Sequence, residues 1–251
     1  MMREDIVFGP IHSRRLGSSL GINLLPRKGK LCNFDCIYCE CGWNKDGRGD
    51  REIPDAENLR QALDSKLASC CSDKVKIDSI TFSGDGEPTL NPDFAKMIDI
   101  TLSLRDKYYP DAKVSVLSNA TMVSKEDVFK ALEKVDNPIL KLDAAFDSDA
   151  YKINRPQGIY HVDDIVSGLM KFKGNFILQT MFLRSDDFDS SEPKALNAWM
   201  DLVRKLRPRE VMVYTLDREA PKAGLKKFTM EEMAVLVKPL SDEGFKIQIR
   251  G

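Results

Sequence analysis

Cys32, Cys36 and Cys39 stand in the run Cys32-Asn-Phe-Asp-Cys36-Ile-Tyr-Cys39, a CxxxCxxC segment. Thiolates are soft ligands that suit iron–sulfur clusters and zinc. Three of them in so short a turn can converge on one cluster. A four-iron cluster held by four cysteines is saturated and only moves electrons. Held by three, it keeps one iron open, and the amino and carboxylate groups of a methionine fit that position. A structural zinc site is the alternative, and Cys41, two residues past Cys39, could supply its fourth ligand. Zinc sites commonly pair two separated CxxC-like units, however, and no second pair stands elsewhere. A redox role or chance spacing is the third reading. Cys70 and Cys71 are adjacent near the end of a predicted helix, so one of them is expected to be buried and inert.

A second segment, Ser83-Gly84-Asp85-Gly86-Glu87-Pro88-Thr89, also has chemical potential. Glycines let backbone groups approach a ligand with no Cβ in the way, and Glu87 can accept a hydrogen bond from an ammonium group. The same residues could form an ordinary turn. Ser118, Asn119, Asp143 and, more weakly, Gln179 lie on or at the ends of predicted strands, where such side chains also cap helices. Arg14, Arg15, Arg155 and Arg218 lie near strand ends or adjoining loops. Guanidinium groups bind phosphate or carboxylate through paired hydrogen bonds; the competing reading is a surface salt bridge. His12 and His161 are expected to be packed or solvent-facing rather than proton carriers.

These residues need elements to position them. Short runs rich in Val, Ile, Leu and Phe predict strands over residues 19–25, 77–83, 113–117, 139–143, 176–182, 210–215 and 245–249. They are mostly apolar throughout, as strands covered on both faces should be. Amphipathic spacing predicts helices over 56–68, 94–107, 125–134, 163–171 and 194–206, and one that Thr229 opens and that runs to Lys238. Ser124 is a candidate N-cap for the third helix, and Thr229-Met-Glu-Glu232 is a capping-box pattern for the last. Alternation with crossovers this long means parallel strands. About six βα units fit between Ser19 and Lys238, too few for a closed eight-unit barrel. The expected fold is α/β, a partial (β/α)6 TIM-like barrel of parallel strands. Residues 1–251 are read as a single domain, with an N-terminal arm over 1–18 and the barrel over 19–250. In such folds the site sits at the C-terminal strand ends, and the motif residues follow strands.

The 251 residues are 42% hydrophobic and 31% charged, the make-up of an ordinary globular protein. Net charge is −1, so the whole chain is not an electrostatic nucleic-acid binder. Its distribution is uneven: residues 1–31 carry Arg3, Arg14, Arg15, Arg27, Lys28 and Lys30 against Glu4 and Asp5. No apolar run approaches the ~18–20 residues that cross a membrane. The charged start, Met1-Met2-Arg3-Glu4-Asp5, has no secretory pattern. A cytoplasmic protein with no membrane partner is therefore expected, where thiols stay reduced and cysteines serve as ligands or core residues.

With these motifs in place, the sequence resembles the radical S-adenosylmethionine (radical SAM) superfamily, most strongly over residues 8–90. The CxxxCxxC run and the GxGEP form at 84–88 carry the likeness. The resemblance implies a radical SAM core and a [4Fe–4S] cluster on Cys32, Cys36 and Cys39 with one iron open to S-adenosylmethionine. Tyr38 matches the family's adenine-packing aromatic position. Gly84, Asp85, Gly86 and Glu87 match its methionine-binding motif, and Ser118, Asn119 and Asp143 match positions near the methionine carboxylate or the ribose. It also implies reductive cleavage of S-adenosylmethionine to a 5′-deoxyadenosyl radical that takes a hydrogen atom from substrate, with an electron donor such as flavodoxin or ferredoxin.

Phe8-Gly-Pro-Ile-His-Ser-Arg-Arg-Leu-Gly17, Asn154-Arg155-Pro156 and Tyr214-Thr-Leu-Asp-Arg218 are similar to an iron–sulfur oxidoreductase branch related to the tRNA wyosine-base synthases. Those synthases carry a further cysteine set before the shared motif, and this sequence has no cysteine before Cys32. The branch suggests RNA or a nucleotide-like anion as substrate, bound through Arg14, Arg15, Arg155 and Arg218. A radical activase or protein-modifying enzyme is the alternative, and a zinc or iron–sulfur binding module is the non-enzymatic one.

Overall fold

The computed structural model describes residues 5–13, 16–27, 29–47 and 52–251. These form two compact units. The first is built from Met1–Cys32, Asn44–Ser118 and Lys125–Pro138; the second is built from Asn33–Trp43, Asn119–Ser124 and Ile139–Gly251.

In the first unit, β1 (Val7–Ser13) pairs antiparallel with β2 (Gly17–Ile22). α1 (Ala56–Ser72), β3 (Ser79–Phe82), α2 (Phe94–Tyr108), β4 (Lys113–Ser118) and α3 (Glu126–Lys134) follow. β2, β3 and β4 are parallel neighbours in register, with Leu20 beside Ile80 and Ile80 beside Val114. Side chains alternate across a strand. One face gives Leu20, Ile22, Ile80, Phe82, Val114 and Val116 to a core shared with Leu59, Leu63, Met97 and Ile98, all buried. Burying each such side chain fully is worth about 1.5–3 kcal/mol.

The other face is less apolar than the sequence suggested. Ser19, Thr81, Ser79 and Ser115 form a buried hydroxyl ladder across the three strands, with successive separations of 2.8, 3.0 and 3.1 Å. Each buried hydroxyl is thereby satisfied, which removes most of the desolvation cost.

The second unit contains β5 (Asn137–Lys141) from Ile139 on, then α4 (Asp147–Ile153), α5 (Val162–Met170), β6 (Ile177–Met181) and β7 (Leu183–Arg184). α6 (Pro193–Leu206), β8 (Glu210–Tyr214), β9 (Lys226–Lys227), α7 (Met230–Asp242) and β10 (Ile247–Arg250) complete it. β5, β6, β8 and β10 are parallel in that order. Phe182 packs edge-on against Trp199 at 5.3 Å and Phe228 at 6.1 Å, geometry that aromatic quadrupoles favour.

The six predicted βα units correspond to β2, β3, β4, β5, β6 and β8 with their following helices. Thr229 and Glu232 form the expected capping box on α7. One local expectation is corrected, and several short elements were not foreseen. Residues 7–13 of the N-terminal arm form strand β1, paired antiparallel with β2. Ser124 does not cap α3; Lys125 occupies that position with no side-chain cap bond. The antiparallel pair β7–β9 and the short helix α4 were not foreseen, being too brief for periodicity to register. Among the described residues no helix is long and apolar enough to cross a membrane.

Candidate functional site

In the first unit, the glycine segment lies against the residue that precedes Cys32. Leu31 N–H donates to the Asp85 carbonyl at 3.1 Å, and Glu87 N–H donates to the Leu31 carbonyl at 3.0 Å. Only glycine permits this approach. A Cβ on Gly86, whose φ is +141°, would sit 1.9 Å from the Leu31 carbonyl oxygen. A Cβ on Gly84 would sit 2.0 Å from Asn23 Oδ1, the acceptor for the Asp85 N–H at 3.2 Å. The segment is thus a built bend rather than an ordinary turn.

Glu87 is buried. Its Oε1 accepts from Thr89 N–H at 3.1 Å, from the Thr89 hydroxyl, and from Ser118 Oγ at 2.8 Å. It thereby caps the 3-10 turn Pro88–Leu90 and ties the end of β3 to the end of β4. Asn44 Nδ2 donates to the Cys32 carbonyl at 3.1 Å.

In the second unit, the loop bearing Cys36 and Cys39 is laced to residues 153–157. Asp35 N–H donates to Asn154 O at 2.9 Å, Ile37 N–H to Ile153 O at 2.9 Å, and Gln157 N–H to Asn33 O at 2.8 Å. Cys39 N–H closes a turn on Cys36 O at 3.1 Å. Asn119 also meets this loop: its Nδ2 donates to Asn33 Oδ1 at 2.7 Å.

Beneath the loop lies a buried polar cluster. The Tyr38 hydroxyl donates to Asp143 Oδ2, Asn154 Nδ2 donates to the same oxygen at 2.7 Å, and Met181 N–H donates to Asp143 Oδ1 at 2.9 Å. Asn154 Nδ2 is also 3.4 Å from Cys36 Sγ. Lys141 contacts the Tyr214 hydroxyl, lies 3.7 Å from Asp143 Oδ1, and sits 5.2 Å above the Tyr38 ring.

Burial pushes the Cys36 thiol up to about 11, against the pull of the Lys141 ammonium. Burial, then the Asp143 carboxylate, lifts the Tyr38 phenol well above its ordinary value. Burial opposes the charge on Lys141, but Asp143 and then Tyr214 outweigh it and hold the ammonium above its usual range.

The sequence-predicted residues therefore divide. Cys36, Tyr38, Asp143 and, through Asn33, Asn119 meet at the second unit's loop; Gly84, Asp85, Gly86, Glu87 and Ser118 meet in the first, which also holds Cys32 beside the Leu31 that pairs with them. Gln179 is buried on β6. Arg155 stacks on Trp43 with 4.9 Å to the ring centroid, and Arg218 pairs with Glu40 at 2.9 Å on the surface. Arg14 and Arg15 lie outside the described residues.

Cys70 is buried, Cys71 exposed and Cys41 half-buried. His12 is exposed, and His161 faces Asp147 at 2.8 Å on the surface. Sequence reasoning missed Lys141 and the role of Asn154. Lys141 had a signal, since it precedes Asp143 by two residues, the spacing that shares one strand face. Among the described residues, no three His, Cys, Asp or Glu side chains converge as ligands of one metal ion would. In an iron–sulfur cluster each thiolate ligates its own iron.

Residues 28–184, more than half the chain, match the Radical SAM superfamily. The chain belongs to that superfamily, whose members bind a [4Fe–4S] cluster and S-adenosylmethionine. Among its relatives, the UPF0026 protein MJ1312 of Methanocaldococcus jannaschii is 31% identical over 215 residues, covering 84% of this chain and 63% of the relative.

Among solved structures, Streptococcus suis SuiB bound to S-adenosylmethionine superposes with a TM-score of 0.66 at 15% identity. The match covers 89% of this chain and 49% of SuiB. An archaeal TYW1 superposes with a TM-score of 0.54 at 14% identity, covering 89% of this chain and 71% of TYW1. The chain thus spans less than two thirds of MJ1312 and about half of SuiB. The parallel α/β radical SAM fold expected from the motifs is the fold found.

Proposed function

We propose that this chain is an enzyme in which Cys32, Cys36 and Cys39 hold a [4Fe–4S] cluster with one iron open to S-adenosylmethionine. The observation that carries the reading is the chemistry of the donor set. Three cysteines at CxxxCxxC spacing are soft ligands, and the residue before Cys32 is locked to the GxGEP segment. When bound, the reduced cluster supplies the electron that breaks S-adenosylmethionine into methionine and a 5′-deoxyadenosyl radical, which abstracts hydrogen from substrate.

The chain's own residues do the rest. Gly84, Asp85 and Gly86 form the methionine-binding bend, which closes on Asn23 and Leu31, and Glu87 is the acceptor for the methionine ammonium. Tyr38 offers its ring to the adenine and is fixed by its hydrogen bond to Asp143. Ser118, Asn119 and Asp143 complete the carboxylate and ribose contacts. A thiol as reluctant to ionise as Cys36 must release its proton on ligation, so cluster loading is favoured by rising pH.

We infer a nucleotide-like anion or RNA as the substrate class. Support comes from the basic excess over residues 1–31, with Arg14, Arg15, Arg155 and Arg218 as its contacts. Arg218 is available at small cost, since its exposed pair with Glu40 is of a kind worth about 0–1 kcal/mol. The reading also calls for an electron donor such as flavodoxin or ferredoxin and a cytoplasmic setting.

The test is 5′-deoxyadenosine formation by anaerobically reconstituted protein under dithionite. Formation by the wild type and none by Cys36→Ala supports the reading; colourless, zinc-loaded protein that forms none refutes it.

A further inference from the structure

Asn154 follows α4 and is buried, with its backbone paired to the cysteine loop. A side-chain amide has two N–H donors, and three acceptors surround those of Asn154. Asp143 Oδ2 lies at 2.7 Å, Tyr38 Oη at 2.9 Å and Cys36 Sγ at 3.4 Å. The carboxylate takes one N–H by charge and distance. The other is directed at the phenol oxygen and the cysteine sulfur, and Tyr38 already spends its own hydrogen on Asp143.

Nothing in the methionine, adenine or ribose contacts uses this amide. Hydrogen bonds to ligating sulfurs tune the reduction potential of iron–sulfur centres. A donor stabilises the reduced state more than the oxidised one, because reduction adds negative charge.

We propose that Asn154 is a positioning residue, oriented by Asp143, that donates to Cys36 Sγ and raises the one-electron reduction potential of the cluster. The inference rests on the cluster reading above. Burial within the unit makes the contact count, since a hydrogen bond in low dielectric is electrostatically stronger than one in water.

The test is an EPR-monitored redox titration of the reconstituted full chain, wild type against Asn154→Leu, with iron and sulfide measured in both. Leucine has similar bulk and no donor. Equal iron with a more negative potential in the variant is expected, by about a tenfold fall in the equilibrium constant for reduction, or about 59 mV for one electron. Equal iron with an unmoved potential overturns the inference alone. A wild type that takes up no iron overturns the cluster reading and this inference with it.

Should Asn154→Leu fail to fold, the wild type provides the measurement. With 15N in its asparagine side-chain amides, pulsed EPR of the reduced cluster is expected to detect a coupled amide nitrogen, and its absence overturns the inference.

Discussion

At the scale of single residues, the open iron depends on which sulfurs are ligands. Cys41 is half-buried and outside the three-residue set. Cys36→Ala is therefore expected to lose the cluster and S-adenosylmethionine cleavage, whereas Cys41→Ala keeps both, as iron content and 5′-deoxyadenosine assays will report. Loss of iron in the Cys41 variant would move the ligand assignment. Gly86→Ala drives a Cβ into the Leu31 carbonyl at a φ that side chains rarely adopt. It should cost about 2 kcal/mol or more, read as a lower urea midpoint at unchanged slope.

The cysteines and glycines were legible because their chemistry is local: a spacing and an absent Cβ. The role of Asn154 was not, because it arises where residues 153–157 pair with a loop more than a hundred positions earlier. No local pattern encodes that meeting.

At the scale of elements, a capping box and a half-buried ion pair have measurable consequences. Thr229 Oγ1 accepts from Glu232 N–H at 3.1 Å, and Glu232 returns a bond to Thr229 N–H at 2.7 Å. Thr229→Ala should destabilise α7 by about 1 kcal/mol, lowering the melting temperature by about 2–4 °C in a chain this long.

Asp136 accepts from Val114 N–H and from Arg105 Nη1, each at 2.9 Å, tying the start of β4 to the end of α2. Burial pushes its carboxyl up, but the Val114 and Arg105 bonds outweigh that and hold it below its ordinary value. A depressed carboxylate stabilises the fold above its unfolded pKa and loses that contribution as pH falls through the folded one. The stability gap between wild type and Asp136→Asn should be full at neutral pH and close below about pH 4, measurable by urea melts across pH. Helix and strand existence was readable from periodicity. β1 and the pair β7–β9 were not, because edge strands and two-residue ladders exist only once their partners are in place.

At the scale of the whole molecule, α/β alternation was readable because each βα unit repeats one pattern, an apolar strand followed by an amphipathic helix. The hydroxyl ladder of Ser19, Thr81, Ser79 and Ser115 was hidden by that pattern, since its partners come from three strands. Charge is also a whole-chain property. A net of −1 with a local basic excess over residues 1–31 favours a small or local anionic target over a long nucleic-acid track. 5′-Deoxyadenosine formation should therefore rise when tRNA is added and fall back as salt screens the basic segment. A rate that ignores RNA but rises with a protein fraction would point instead to a protein-modifying enzyme.

The most direct test of the central claim is low-temperature EPR of the dithionite-reduced, reconstituted chain before and after S-adenosylmethionine is added. A [4Fe–4S] signal whose g values shift on addition is the predicted result, because the cofactor binds the open iron. A cluster signal indifferent to S-adenosylmethionine, or no cluster at all, would contradict the account.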